Sequence, residues 1–234
     1  MADFIFMLTR DDQTIEECLE VCESIEALGI GHIGFKDIGV GIEIMRSLVA
    51  AIRRRGATSY LEVVSTTPEA CLRSARVAVD LGVDRLLGGS DAEEMAAIVA
   101  DSNVAYFPFP GRPRGHPTLL GGGPAEVAND CRRFEALGCA GVDLLAYRAF
   151  EADPLELIRA ARGALKGDLI IAGSIDSPER VREIAMAGAD AFTIGSAVFN
   201  GSFTPDKGAL SSQVEDILAA VEASARHTKQ GAVP

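Results

Sequence analysis

The sequence predicts an α/β protein built as a single (β/α)8 TIM barrel with a parallel eight-stranded core. Two observations carry that expectation. Helix-like stretches end at Gly29, Gly56, Gly82, Asn103, Gly138, Gly167 and Gly188, and a strand-like run follows each. Gly and Asn suit the position just past a helix C-terminus, where positive φ is needed. They recur about every 26 residues, the length of one strand–loop–helix–loop module. Seven caps with a strand after each, together with an opening strand, make eight modules. The strand candidates are also near-continuous apolar runs, as parallel strands covered on both faces are.

In order, the strands read as Phe4 to Thr9, His32 to Asp37, Thr58 to Ser65, Asp84 to Gly89, Val104 to Pro108, Gly141 to Tyr147, Asp168 to Ala172 and Asp190 to Ile194. Between them, apolar residues fall at helical spacing: Leu72, Ala75 and Val79; Val181, Ile184 and Ala185; Val214, Ile217, Leu218 and Val221. Thr67-Pro68, Asp153-Pro154 and Ser177-Pro178 mark helix starts, with a capping side chain followed by Pro at the first helical position. A doubly wound open sheet would need a glycine fingerprint after the first strand, and Leu8-Thr9-Arg10-Asp11-Asp12 is not one. No linker divides the chain, so residues 1–225 form one domain, with a polar C-terminal tail over 226–234.

Composition narrows the function. The 234 residues are 48% hydrophobic, enough for a large core, with no Trp. A net charge of -12 opposes binding of nucleic acid or an anionic membrane surface. No apolar run reaches transmembrane length. The N-terminus lacks the pattern of a secretory leader. Five Cys without metal-like spacing fit the reduced cytoplasm. Cys18 and Cys22 share a helix face with Ile15, Leu19, Ile25 and Leu28, which makes them core filling.

Two segments point to a ligand. Leu169-Ile-Ile-Ala-Gly173-Ser174 and Ala191-Phe-Thr-Ile-Gly195-Ser196 are consecutive apolar strands that stop at Gly-Ser before a helix. Gly removes the Cβ that keeps an anion from the backbone, Ser adds a hydroxyl, and the helix start adds free N–H groups. On the last two strands of a barrel such a pair suits a phosphate.

The segment from Gly167 to Gly201 resembles the end of the ribulose-phosphate-binding barrel superfamily. The matching residues are Ile171-Ala172-Gly173-Ser174 with Ser177-Pro178-Glu179, then Gly188-Ala189-Asp190 and Ile194-Gly195-Ser196-Ala197. The resemblance implies that Gly173, Ser174, Gly195 and Ser196 hold a substrate phosphate. It identifies no single member. The fifth strand ends Phe107-Pro108-Phe109, without the Asp of the histidine-pathway isomerases. The third strand lacks the Asp-x-Lys-x-x-Asp of the sugar-phosphate decarboxylases, and no His-x-His strand of a pentose-phosphate epimerase is present.

Ionisable side chains near strand C-termini are the candidates for chemistry. Lys36 follows Ile33-Gly34-Phe35 and Glu62 follows Tyr60-Leu61, so both should point toward the barrel mouth. Lys36 could form an imine with a carbonyl substrate, or remain charged beside an enediolate oxygen while Glu62 moves a proton. Alternation along the strand keeps Asp37 from also pointing inward. Arg10, just past the first strand, and Arg148, just past the sixth, could clamp an anion.

The longest module carries a loop, Phe109 to Gly123, whose Arg112, Arg114 and His116 are expected over the mouth as a hinged, substrate-covering flap. His116 is a further acid–base candidate, and Tyr147 could donate a hydrogen bond there. Asp84, Asp143 and Asp190 open strands and are assigned to the stabilising N-terminal face. The expected activity is that of an isomerase, epimerase or carbon–carbon lyase acting on a small phosphorylated sugar or sugar-like carbonyl compound. The expected assembly is a homo-oligomer. The alternative is a non-catalytic barrel that senses a phosphorylated metabolite. No cofactor is implied; a divalent metal is compatible, although no ligand cluster is evident.

Overall fold

The computed structural model describes residues 2–230. Its main sheet has eight strands: β1 (Asp3–Met7), β2 (His32–Lys36), β3 (Thr58–Val63), β4 (Arg85–Gly88), β5 (Ala105–Phe107), β6 (Gly141–Leu144), β7 (Asp168–Ile171) and β8 (Ala191–Ile194). They are ordered β6-β7-β8-β1-β2-β3-β4-β5, and every ladder is parallel. Two backbone bonds, Ala140 N–H to the Tyr106 carbonyl and Asp143 N–H to the Pro108 carbonyl (both 3.0 Å), join β5 to β6 and bring the barrel round on itself. The (β/α)8 expectation is met.

Helices follow the strands in turn: α1 (Cys18–Ser24), α2 (Ile42–Arg54), α3 (Pro68–Leu81), α4 (Ala92–Val99), α5 (Pro124–Ala136), α6 (Pro154–Ala164), α7 (Pro178–Met186), α8 (Ser196–Phe199) and α9 (Leu210–Gln230). The predicted start signals act as caps: Thr67, Asp153 and Ser177 accept backbone N–H bonds from the first turns of α3, α6 and α7. Helix α9 carries the chain past Ala225 into the predicted tail, and residues 231–234 of that tail lie outside the described residues.

Gly29, Gly56, Gly82, Gly138 and Gly188 have the positive φ expected of a helix cap. Gly167 serves differently: a Cβ there would strike the Ala140 carbonyl on the approach to β6. Close passage of backbone is the reason for this glycine. The sixth strand also stops earlier than predicted. After Leu144 the chain turns into a short 3-10 helix, Ala146–Arg148, which carries Arg148 to the mouth.

The core has two layers. Between sheet and helices lies a large apolar cluster that includes Phe6, Phe35, Leu48, Leu61, Val142 and Ile217; the buried Cys18 and Cys22 belong to it. Inside the barrel, Ile5, Met7, Tyr60, Leu87, Phe107, Ile170 and Ala191 fill the lower interior. That packing closes the lower interior, and a cavity remains toward the C-terminal ends of the strands. Among the described residues no helix is long and apolar enough to cross a membrane.

Candidate active site at the C-terminal mouth

A cavity of about 330 Å³ opens at the strand C-termini. Its wall takes Lys36 from β2, Glu62 from β3, Arg148 from the turn after β6, and the Gly173–Ser174 and Gly195–Ser196 turns after β7 and β8. Five segments distant in sequence thus meet around one space.

A residue that sequence reasoning gave no role is the hub. Just past β1 the chain makes a two-stranded hairpin, Thr9–Arg10 against Gln13–Thr14, whose turn residues Asp11 and Asp12 have φ of 51° and 62°. Left-handed conformation at both central residues is what a tight hairpin of this hand requires, and Asp tolerates it better than most residues. Thr14 locks the hairpin to β2: its hydroxyl donates to the Lys36 carbonyl and accepts from the Lys36 N–H, both at 2.8 Å.

The turn therefore folds Asp12 back over the mouth, where its carboxylate bonds the Lys36 ammonium directly. Its Oδ1 also accepts from Arg148 Nη2 at 3.0 Å, and its Oδ2 from the Thr118 N–H at 3.3 Å. The Lys36 Nζ lies 3.4 Å from Glu62 Oε2.

Lys36, Asp12 and Glu62 are all buried, so their charges act at low effective dielectric. Burial alone would raise the Asp12 carboxyl, but the Lys36 ammonium and the Arg148 guanidinium outweigh it and hold Asp12 well below the usual carboxylate range. Glu62 goes the other way. Burial raises it, and the Lys36 charge offsets only part of that rise.

The two Gly-Ser turns face this cluster across the cavity. Gly173 and Ser174 both adopt positive φ, 77° and 58°. A Cβ on Gly173 would stand 2.5 Å from Arg148 Nε, so this glycine makes room for the arginine. Gly195 is different from the sequence expectation. Its Cβ position is filled by the Thr9 hydroxyl, with the Thr9 carbonyl at 2.9 Å, so its bare Cα is required by the contact with the β1 end, while the residue also lines the cavity. The donors free to face a ligand are those of Ser174, Ser196 and the adjoining backbone.

The remaining candidates divide. The loop after β5 forms a hairpin, Arg112–Arg114 against Leu119–Gly121, and its Pro117 lines the cavity, so the loop does cover the mouth. It is tied down at its base by the Gly111 N–H on Asp130 and the Gly122 N–H on Glu151, both 2.8 Å. Arg112 points away from the cavity and bonds Glu126 at 2.6 Å and Glu151 at 2.5 Å. Arg114 lies 4.2 Å above the Phe150 ring. Arg10 lies over Phe199, outside the cavity wall. His116 is 38% exposed, with Nδ1 3.8 Å from Asp12 Oδ2, and does not line the cavity. Tyr147 donates to Glu183 at 2.9 Å and not into the mouth.

Of the three strand-opening aspartates, Asp84 and Asp190 bond the neighbouring backbone at the N-terminal end, at Ser59 N–H and Leu169 N–H. Asp143 does not belong with them. It is the third residue of β6, wholly buried, and it feels the charges of Glu62, Lys36 and Arg148. Among the described residues no group of three His, Cys, Asp or Glu side chains is arranged to hold a metal ion.

No family model matches the sequence, and no curated protein matches it. Solved structures do. A mutant tryptophan synthase α-subunit from Pyrococcus furiosus superposes with a TM-score of 0.67 at 15% identity, over 93% of this chain and 98% of that one. Thiamine phosphate pyrophosphorylase from Pyrococcus furiosus gives 0.62 at 18% identity, over 95% and 96%. Orotidine 5'-phosphate decarboxylase from Pyrococcus horikoshii OT3 gives 0.62 at 16%, over 94% and 99%. The likeness is one of fold. What these structures share with this chain is the (β/α)8 barrel that the strand and cap pattern predicted. Nearly the full length of each chain takes part, so the mouth described here occupies the end at which such barrels carry their sites.

Proposed function

We propose that the protein is an enzyme that acts on a small phosphorylated sugar or sugar-like carbonyl compound, by isomerisation, epimerisation or carbon–carbon lyase chemistry. The observation that carries this reading is the meeting of Lys36 and Glu62 in one cavity with the Gly173–Ser174 and Gly195–Ser196 turns. A phosphate accepting from Ser174, Ser196 and their backbone would leave the carbonyl end of a short substrate near Lys36. Two of the structures sharing the fold are named for phosphorylated compounds, orotidine 5'-phosphate and thiamine phosphate, which agrees with such an anchor.

The chemistry follows from the ion cluster. Glu62, buried and raised in proton affinity, is a competent proton acceptor. It takes a proton from the carbon beside the carbonyl, and the electron pair moves onto the carbonyl oxygen. The Lys36 ammonium meets the negative charge developing there. Return of the proton to the former carbonyl carbon, with the neighbouring hydroxyl passing its proton to the former carbonyl oxygen, completes an isomerisation; an epimerisation needs the proton delivered to the opposite face of the same carbon by a second acid or water. An imine would require Lys36 to surrender its charge between two carboxylates, Asp12 and Glu62, so the enediolate route is the one we adopt.

Incubation with triose, tetrose and pentose phosphates in D2O tests this without knowledge of the product. Proton NMR should show exchange at the carbon next to the carbonyl of at least one compound, and none with Glu62→Gln. Thermal unfolding should rise with inorganic phosphate or with the exchanging compound. Stabilisation without exchange would leave a sensing barrel. Absence of any stabilisation by phosphate or a phosphosugar would overturn the assignment.

A further inference from the structure

Strand β6 carries an aspartate inside an otherwise apolar run, Gly141-Val142-Asp143-Leu144. Asp143 pairs with Ile170 on β7, and Ile170 packs inside the barrel with Ile5, Met7 and Phe107. Partners in a parallel ladder share a face, so the Asp143 side chain is also interior. It is 0% exposed. Among the described residues, neither of its carboxylate oxygens has a hydrogen-bond partner. A naked, ionised carboxylate in that position would meet a severe desolvation penalty.

The charged groups around it come from several elements: Lys36 on β2, Glu62 on β3 and Arg148 after β6. Asp12, from the hairpin after β1, acts on Glu62. Both cations are already engaged. Lys36 bonds Asp12 and lies 3.4 Å from Glu62, while Arg148 bonds Asp12. His116 Nδ1 lies 3.8 Å from Asp12 Oδ2. Two buried carboxyls, Glu62 and Asp143, are thus left under the influence of the same cations with too little positive charge for both to ionise.

We propose that Glu62 and Asp143 are an electrostatically coupled pair that carries one proton in all, with Asp143 keeping it and Glu62 left as the charged member facing the cavity. Geometry decides the order. Glu62 lines the cavity and has the Lys36 ammonium beside it; Asp143 does not line it and, among the described residues, has no hydrogen-bond partner for its carboxylate. The electrostatics agree, since burial reinforced by the Glu62 charge pushes the Asp143 carboxyl far above the usual carboxylate range.

Asp143 does not line the cavity, so it is a positioning residue that acts through Glu62. As a neutral acid it leaves Glu62 free to ionise and accept a proton. As a second anion it would force Glu62 to protonate. The pair titrates as a unit, in two steps that belong to both residues. The inference rests on the proposed function only in taking Glu62 as the proton acceptor.

The test is a carbon-13 NMR titration of labelled Asp and Glu carboxyls in the ligand-free protein, with Asp143→Asn and Glu62→Gln beside the wild type. At pH 7 the wild type should show one protonated carboxyl, and that signal should be absent from Asp143→Asn. In Glu62→Gln, where the neighbouring charge is gone, Asp143 should ionise at a lower pH than in wild type. A merely structural aspartate would not respond in this way. Both carboxyls ionised in wild type at pH 7, or an Asp143 titration unmoved by Glu62→Gln, would overturn the pair.

Should Glu62→Gln not fold, the wild-type and Asp143→Asn spectra decide alone. A protonated signal lost in Asp143→Asn supports the pair, and no such signal in wild type overturns it. Stabilisation by inorganic phosphate is a separate readout. Its failure with the pair intact would count against the anion cradle and leave the pair standing.

Discussion

The two ends of the barrel interior both hold charged and polar groups, and they treat them in opposite ways. At the N-terminal end, the Arg85 guanidinium lies over the rings of Tyr60 and Phe107, 5.5 and 5.3 Å from their centroids, and 3.3 Å from the Asp168 carboxylate. The Tyr60 hydroxyl meets His32 Nδ1 at 2.9 Å. Each group has a partner, and Arg85, His32 and Asp168 all reach solvent. At the C-terminal end, Lys36, Asp12, Glu62 and Asp143 are buried, crowded onto two cations, with one carboxyl unpartnered. The first arrangement closes a barrel. The second concentrates charge at the mouth and leaves one carboxyl to be balanced by a proton, which is the arrangement the proposed chemistry would use.

Removing one cation from each end should expose the difference most strongly. Lys36→Met strips the buried Asp12 and Glu62 of their shared ammonium, and breaking a buried pair in this way costs about 3–5 kcal/mol. Arg85→Met removes a partly solvated cation and its ring contacts, worth about 1 kcal/mol. Urea denaturation of the two variants measures the gap. Equal losses would show that the mouth is no more strained than the base. Adding Asp12→Asn to Lys36→Met should recover part of the loss, because one of the stranded charges is then gone.

Glycine substitutions sharpen the same contrast on the backbone. Gly29 and Gly173 both have positive φ, 63° and 77°, but a Cβ on Gly29 meets nothing within 4 Å while one on Gly173 meets Arg148. Gly29→Ala should therefore cost only left-handed strain, about 1–2 kcal/mol. Gly173→Ala adds displacement of Arg148 from Asp12. Its distinguishing result is loss of phosphate-dependent thermal stabilisation, which Gly29→Ala keeps.

Much of this was legible in the chain. Eight strands were readable because parallel strands covered on both faces are apolar throughout, and because helix ends repeat their cap chemistry. Lys36 and Glu62 were readable because a charge ending an apolar run has few places to point. The rest depends on geometry that local pattern does not carry. Asp12 enters the site only because a left-handed two-residue turn folds it back, and Asp11-Asp12 in sequence looks like an ordinary polar loop. Asp143 follows Gly141 closely enough to pass for a strand-opening residue, like Asp84. The distinguishing signal was present, since Leu144 and Leu145 after it leave only the barrel interior for a carboxyl on a strand buried on both faces. Arg112 and Arg114 failed for the opposite reason: their loop covers the mouth, yet their partners Glu126, Glu151 and Phe150 come from elements whose proximity no spacing reveals.

The mouth should respond to pH with both signs and the base with only one. Asp12 is held low, so it contributes stability above the ordinary carboxylate range, and that contribution is lost as the pH falls below it. Glu62 and Asp143 are raised, so the native state keeps protons that the unfolded chain has released, and stability falls as the pH climbs past that same range. At the base, burial lowers His32, with the Asp3 carboxylate opposing. Its contribution is complete above about 6.5, the ordinary histidine value, and fades as the pH drops through the native one. Stability curves across pH should thus flatten on the alkaline side in Asp143→Asn, and near pH 6.5 in His32→Gln, with the second change the smaller. The same alkaline slope in Asp143→Asn and wild type would remove Asp143 from the account.

The smallest effect is expected on the loop above the mouth, where the sequence led us to expect a large one. Arg112 is 57% exposed and shared between Glu126 and Glu151. Exposed ion pairs contribute about 0–1 kcal/mol and weaken with salt. Arg114 rests on Phe150, a contact of similar size. Neither side chain lines the cavity, so replacing both by Ala should lower stability by about 1 kcal/mol and leave the phosphate-induced rise in Tm unchanged at low and at physiological salt. Arg148→Ala supplies the opposite case, because it opens the Asp12 cluster from inside the wall. Were the double loop variant to lose the phosphate effect at low salt while Arg148→Ala kept it, the positive charge that matters would lie on the covering hairpin and not within the barrel mouth.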